Sequence, residues 1–305
     1  MGRIDQAMSR ANMDAGRGTG AEASAPATSP WQVEEPDSAD TQSAGPALGN
    51  APADKSQGGH LLLADEGRQP RSVGFEPHAN EKLVVSKSAS PLLVEQFRFL
   101  AAALHRAQAE QRLSSLIVTS ASPSDGKSHV AANLALTLAD SYRRRVLLID
   151  ADMRRPTLHH IFRVSNTRGL SNALNGATDE QVAVAQISET LALLPAGRSE
   201  ANPLGALSSD RMKRLVADAA SRFDWVIIDS PPVGILADAH MVSETVDAAI
   251  LVIRAGLTQF PELEAAADKL GHDRILGLVL NAAEPSEIRG KGYYNYYYGT
   301  GRAKA

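Results

Sequence analysis

Cysteine is absent from the 305 residues, which removes any disulfide framework or thiolate metal site and suits a reducing compartment. Aromatic residues make up only 5% of the chain, and no apolar run approaches the ~18 residues needed to cross a bilayer. The stretch MGRIDQAMSRANMD has no apolar segment behind its charges, so neither a secretory signal nor an anchor is expected there. A large excess of one charge is also lacking. The net of -4 is mild and gives no reason to expect nucleic acid as a partner.

Clustered branched and aromatic side chains are nearly missing before residue 80, where Ala, Gly, Ser, Pro and Asp dominate stretches such as TGAEASAPATSP. Such a segment cannot bury enough apolar area to offset its ordering entropy. Residues 1–80 are therefore expected to be a disordered N-terminal arm. Its six Lys and Arg against eleven Asp and Glu make it a solvated acidic segment, in which Leu61, Leu62 and Leu63 read as an incidental cluster. One folded domain is expected at residues 81–285, followed by a short tail at 286–305.

The domain itself alternates two periodicities. Residues 90–112 place Leu93, Phe97, Leu100 and Leu104 at spacings of four, three and four, the apolar stripe of a helix. LIV at 116–118 reads as a strand, then comes a Ser/Pro/Asp/Gly loop, then KSHVAANLALTLAD with Val130, Leu134 and Leu138 at helical spacing. VLLID (146–150), WVIIDSPP (225–232), AAILVIR (248–254) and ILGLVLN (275–281) read as strands apolar on both faces, with LALLPAG (191–197) as a further candidate. Helical stretches such as SSDRMKRLVADAASR and PELEAAADKLG separate them. The expectation is an α/β fold, a mainly parallel sheet covered by helices on both faces.

ASPSDGKS at residues 121–128 lies between the first strand and its helix and fits the P-loop pattern, with Ala121 in place of the first glycine. The chemistry requires backbone N–H groups turned inward around phosphate oxygens at the positive end of a helix. Ser124, Asp125, Gly126, Lys127, Ser128 and His129 form the expected nucleotide-binding run. Gly126 permits close approach, Lys127 lies against the β- and γ-phosphates, and the Ser128 hydroxyl is a Mg²⁺ ligand. Asp150, Asp152 and Asp229 stand at strand ends, where an open parallel sheet binds its ligand, and should face this loop. One carboxylate there can hold Mg²⁺ and another accept a proton from an attacking hydroxyl. The alternative for any single one is a cap on the next helix.

Five of the six tyrosines, Tyr293, Tyr294, Tyr296, Tyr297 and Tyr298, fall in the tail, bracketed by glycines. No period would bury all five rings, so a flexible phosphoacceptor cluster fits better than a stacking patch.

With SASPSDGKS at 120–128, VLLIDADMRRPTLH at 146–159, WVIIDSPPVG at 225–234 and the terminal tyrosines, the chain resembles the bacterial tyrosine kinases of capsule and exopolysaccharide systems. The resemblance implies a P-loop NTPase fold of the MinD/ParA type, with ATP and Mg²⁺ as cofactors. By it, Lys127, Asp150, Asp152 and Asp229 are catalytic, and Ser128, Asp150 and Asp229 hold the metal. Arg154 and Arg155 steady phosphates or a neighbouring subunit, and Asn281 lies near the adenine, with a strand cap as its alternative. It further implies a homo-oligomer, a cognate tyrosine phosphatase, and a membrane-embedded polysaccharide chain-length regulator. That regulator would hold a cytoplasmic kinase at the inner face of the membrane. Two departures stand out. Glu95 and Arg98 match the family's subunit-contact motif but Ala101 replaces its second arginine, and His129 replaces a small hydroxyl residue. The runner-up readings are a positioning ATPase without kinase activity and an ATP-binding scaffold of polysaccharide export. Against the first, Ala121 and Ser122 stand where such ATPases carry an extra lysine.

Overall fold

The computed structural model describes residues 63–64, 75, 82–175, 182–198 and 202–283. The five tail tyrosines and most of the expected arm lie outside the described residues. The main sheet has seven strands: β1 (Ser115–Ser120), β2 (Val146–Asp150), β3 (Ala185–Gln186), β4 (Leu191–Leu194), β5 (Trp225–Asp229), β6 (Ala248–Arg254) and β7 (Ile275–Asn281). Their order is β3-β4-β2-β5-β1-β6-β7, parallel throughout except for the antiparallel edge strand β3.

Alternation along each strand divides its side chains between two faces. On one face Leu116, Val118, Leu148, Ile227 and Ile250 join a core with α1 (Pro91–Gln111) and α2 (Lys127–Ser141). The intervening residues, among them Ile117, Leu147, Ile149, Val226 and Ile228, are fully buried on the opposite side. There α6 (Asp210–Arg222), α7 (Ala237–Ser243) and α8 (Phe260–Leu270) pack on β5, β1 and β6. Each such side chain contributes roughly 1.5–3 kcal/mol by leaving water. Helix α2 is buried almost all round, because α1 covers the side that the sheet does not, and its small Ala131, Ala132 and Ala135 admit that close packing.

Among the described residues, four short helices lack the length for a readable period: α3 (Leu158–Ile161), α4 (Leu170–Asn175), α5 (Leu204–Leu207) and α7. Two strands end earlier than their apolar runs indicated. The first stops at Asp229 before Pro231 and Pro232, the second at Leu194 before Pro195, because proline cannot donate to the ladder. β7 is apolar but half-exposed, with Leu280 57% exposed, since it forms a sheet edge.

Contacts also reach into the segment read as an arm. Leu63–Ala64 pairs in parallel with Val182–Ala183, and Phe75 meets Phe162 edge to face with ring centroids 5.9 Å apart. Asn133, buried on α2, accepts from Val84 N at 2.8 Å and donates to Lys82 O at 2.9 Å, holding the fully buried Leu83 against the core.

Candidate active site

Register builds the site. Asp150 and Asp229 are directly paired residues at the ends of β2 and β5, and Val118 of β1 pairs with Asp229, so the loop leaving β1 starts beside both carboxylates. That loop is held by its own side chains and by β6, β7 and the turn after β6. Asp125 accepts from Ser122 N at 2.8 Å and from the Thr258 hydroxyl at 3.0 Å, while the Asn281 amide donates to Asp125 O at 2.8 Å. Arg254 donates to Ser124 O at 3.1 Å. Ser124 at φ 68 and Gly126 at φ 94 both turn through the left-handed region. A Cβ on Gly126 would collide with the Asn281 amide, so glycine is required there on two counts. Asp125 and Asn281 thus act on each other as braces of the loop.

The loop opens into α2, a fifteen-residue helix whose positive end faces the site. Lys127 Nζ lies 3.0 Å from Asp152 Oδ2 and 3.9 Å from Asp229 Oδ1, and donates to Ser128 Oγ at 3.3 Å. Burial disfavours the ammonium, but Asp229, Asp152 and Asp150 together hold its pKa above the ordinary value. Asp150 accepts from Asp152 N at 3.2 Å and from Thr157 N and Leu158 N at 3.0 Å each. Burial, then repulsion from Asp229, nevertheless pushes its carboxyl up to about 8. Burial raises Asp229 to about 6 against the opposing Lys127 ammonium and Ser128 hydroxyl.

Both Asp229 oxygens are buried, faced by the Ser128 hydroxyl and by the Lys127 ammonium at 3.9 Å, without the close hydrogen bonds that would satisfy a buried carboxylate. Acceptors so incompletely satisfied are costly unless a cation completes them. Together with Asp150 and the Ser128 hydroxyl they form a hard-oxygen donor set that fits Mg²⁺.

Ser124, Gly126, Lys127, Ser128 and His129 line one cavity of about 540 Å³, and Asp152, Arg154 and Arg155 line it as well. Arg154 is gripped by the buried Asp238, with Nε–Oδ2 at 2.6 Å and Nη2–Oδ1 at 3.2 Å, and Arg155 N donates to Asp152 at 3.0 Å. Burial, then Lys82, lowers the pKa of His129, which favours its neutral form beside the loop. The sequence reading missed Asp238, Thr258 and Arg254. Each acts through a partner at least 84 positions away, so no local spacing could disclose them.

Residues 113–282 match the family described as Cellulose biosynthesis protein BcsQ. The chain is 36% identical over 203 residues to the tyrosine-protein kinase YwqD of Bacillus subtilis, covering 66% of this chain and 85% of YwqD. It is 31% identical over 234 residues to the tyrosine-protein kinase Wzc of Salmonella typhimurium, covering 74% of this chain and 32% of Wzc. The kinase domain of the Escherichia coli tyrosine kinase Etk superposes with a TM-score of 0.58 at 33% identity, over 65% of this chain and 80% of that one. A P-loop, three converging strand-end carboxylates and a match spanning most of YwqD place the chain in the family of bacterial tyrosine-protein kinases.

Proposed function

We propose that this kinase transfers the γ-phosphoryl group of ATP to tyrosines of its own C-terminal cluster, Tyr293, Tyr294, Tyr296, Tyr297 and Tyr298, on a neighbouring copy. The carrying observation is the convergence of Lys127 on Asp152 and Asp229 at the N-terminus of α2. Ser128, Asp150 and Asp229 would hold Mg²⁺, which when bound neutralises phosphate oxygens as charge develops on them. Lys127 and the α2 N-terminus bind the β- and γ-phosphates. Asp152, which lines the cavity, accepts the phenolic proton as the tyrosine oxygen bonds to phosphorus, the bond to the bridging oxygen breaks, and ADP leaves. Alignment supplies most of the rate, because the transition state is loose.

Asn281, through its hold on the P-loop, sets the edge of the adenine site in this reading. Arg154, fixed by Asp238, and Arg155 steady phosphate at the cavity mouth. Regulation of capsular or exopolysaccharide polymerisation belongs to the same proposal, with a membrane-embedded chain-length regulator supplying an activating tail. In the same proposal that regulator attaches the kinase at the inner face of the membrane; no helix among the described residues is long and apolar enough to cross one. A cognate phosphatase would reset the tail. Self-assembly would use the outer face of α1, where Phe99 is 75% exposed; Ala101 is fully buried, and Glu95 and Arg98 pair with each other at 2.7 Å.

The test compares wild type, Lys127→Ala and Asp150→Asn by phosphotyrosine immunoblot after incubation with Mg²⁺ and ATP. Both variants should lose labelling by at least about a hundredfold while melting cooperatively. Normal labelling in either one would refute the site.

A further inference from the structure

The cavity has an apolar side that phosphate chemistry does not use. Pro231, Pro232, Ile235 and Leu236 line it, and Ile235 is 61% exposed there. A triphosphate gains nothing from such a wall, and an aliphatic hydroxyl of serine or threonine would barely reach across it. A phenol suits both halves of the cavity, with a broad apolar ring and a polar tip.

The wall is also rigid. Ser230 N donates to Val118 O at 3.1 Å, and Val233 N donates to Ser120 O at 3.0 Å and to the Thr119 hydroxyl at 3.2 Å, so β1 fastens the turn on both sides of its two prolines. Val233 is buried beneath, and Leu236 N closes the turn onto Pro232 O at 3.1 Å. Lys269 donates to Gly234 O, and Gly234 packs so closely on Ala121 O that a Cβ would collide with it. The turn therefore ties the apolar wall to the first residue of the P-loop.

We propose that residues 231–236 are a preorganised platform for the acceptor ring, with Ile235 and Leu236 as its contact surface over the buried prolines and the tail tyrosines, residues 293–298, as its occupant. This rests on the kinase reading. Five tyrosines within six residues supply the matching chemistry at high local concentration. The platform accounts for tyrosine selectivity: a ring seated on it presents its oxygen among Lys127, Asp152 and Arg154, whereas a shorter hydroxyl side chain gains no such seat. A rigid seat also reduces the ordering cost of binding a flexible segment.

The experiment uses the full chain with its five tail tyrosines changed to Ser, as receptor, and a fluorescent peptide of residues 289–301 as probe. Peptide affinity is read by anisotropy with Mg²⁺ and ADP, the peptide KM by phosphate transfer, and nucleotide affinity separately. Ile235→Ser should weaken peptide binding and raise its KM about tenfold, with nucleotide affinity unchanged, and Ile235→Leu should restore both. Unchanged peptide affinity overturns the platform. So does a parallel loss of nucleotide affinity, which would make Ile235 a nucleotide contact. A receptor that binds the peptide through Ile235 but transfers no phosphate would refute the kinase reading and leave the platform standing.

Discussion

Aspartate does different work at the two ends of the sheet, and its surroundings decide which. At the site, Asp229 is raised by burial because only the Ser128 hydroxyl and the Lys127 ammonium oppose it, whereas Asp247, at the opposite end, accepts from the N–H and hydroxyl of both Ser114 and Ser115 at 2.8–3.0 Å. Burial opposes the charge of Asp247, but those four bonds outweigh it and hold its pKa below the ordinary carboxylate value. A depressed folded pKa means stability that is present above the unfolded value near ~3.9 and lost as pH falls through the folded one. Asp247→Asn should therefore cost about 1 kcal/mol at pH 7, kept small by solvent at the carboxylate, and the gap should close as pH falls below about 4. Urea titrations across that range check it, and a pH-independent gap would contradict it. At this scale the site was half legible. Lys127, Ser128, Asp150, Asp152 and Asp229 stand at strand ends and a helix start, positions readable from apolar runs. Asp238 was not, because its meaning lies in Arg154, 84 positions away.

Among the elements, the long ones were legible, and what escaped were the short ones and the exposure of the edge strand β7. α1, α2, α6 and α8 show their period over two turns or more, and four parallel strands show continuous apolar runs. The two-residue β3 offers no pattern at all, and the half-exposed β7 carries the same composition as a buried strand. Nor did composition reveal that α2 reaches back to residues 82–84 through one buried amide. Asn133→Ala would remove both its bonds and leave Val84 N–H and Lys82 O without these partners. The expected cost is about 2–3 kcal/mol, with Val84 N–H exchanging faster while amides of β1 and β2 follow only the global change. If Val84 keeps its protection, the clamp is not what holds this segment.

At the scale of the molecule, strand order does what no single element can. Placing β5 between β2 and β1 sets Asp150 beside Asp229 and both beside the P-loop, at the carboxyl end of the sheet where open α/β folds bind ligands. Strand alternation with helices was readable along the chain, but this order was not, because it depends on pairings across long separations. The same architecture serves hydrolysis and phosphoryl transfer alike, so the fold alone does not choose between a kinase and a positioning ATPase. What distinguishes them is the fate of the γ-phosphoryl group. The most direct measurement is mass spectrometry of the full chain after incubation with Mg²⁺ and ATP, with mapping of the modified residues. Phosphate on Tyr293, Tyr294, Tyr296, Tyr297 or Tyr298 is the predicted result, and steady ATP hydrolysis with an unmodified tail would contradict the account.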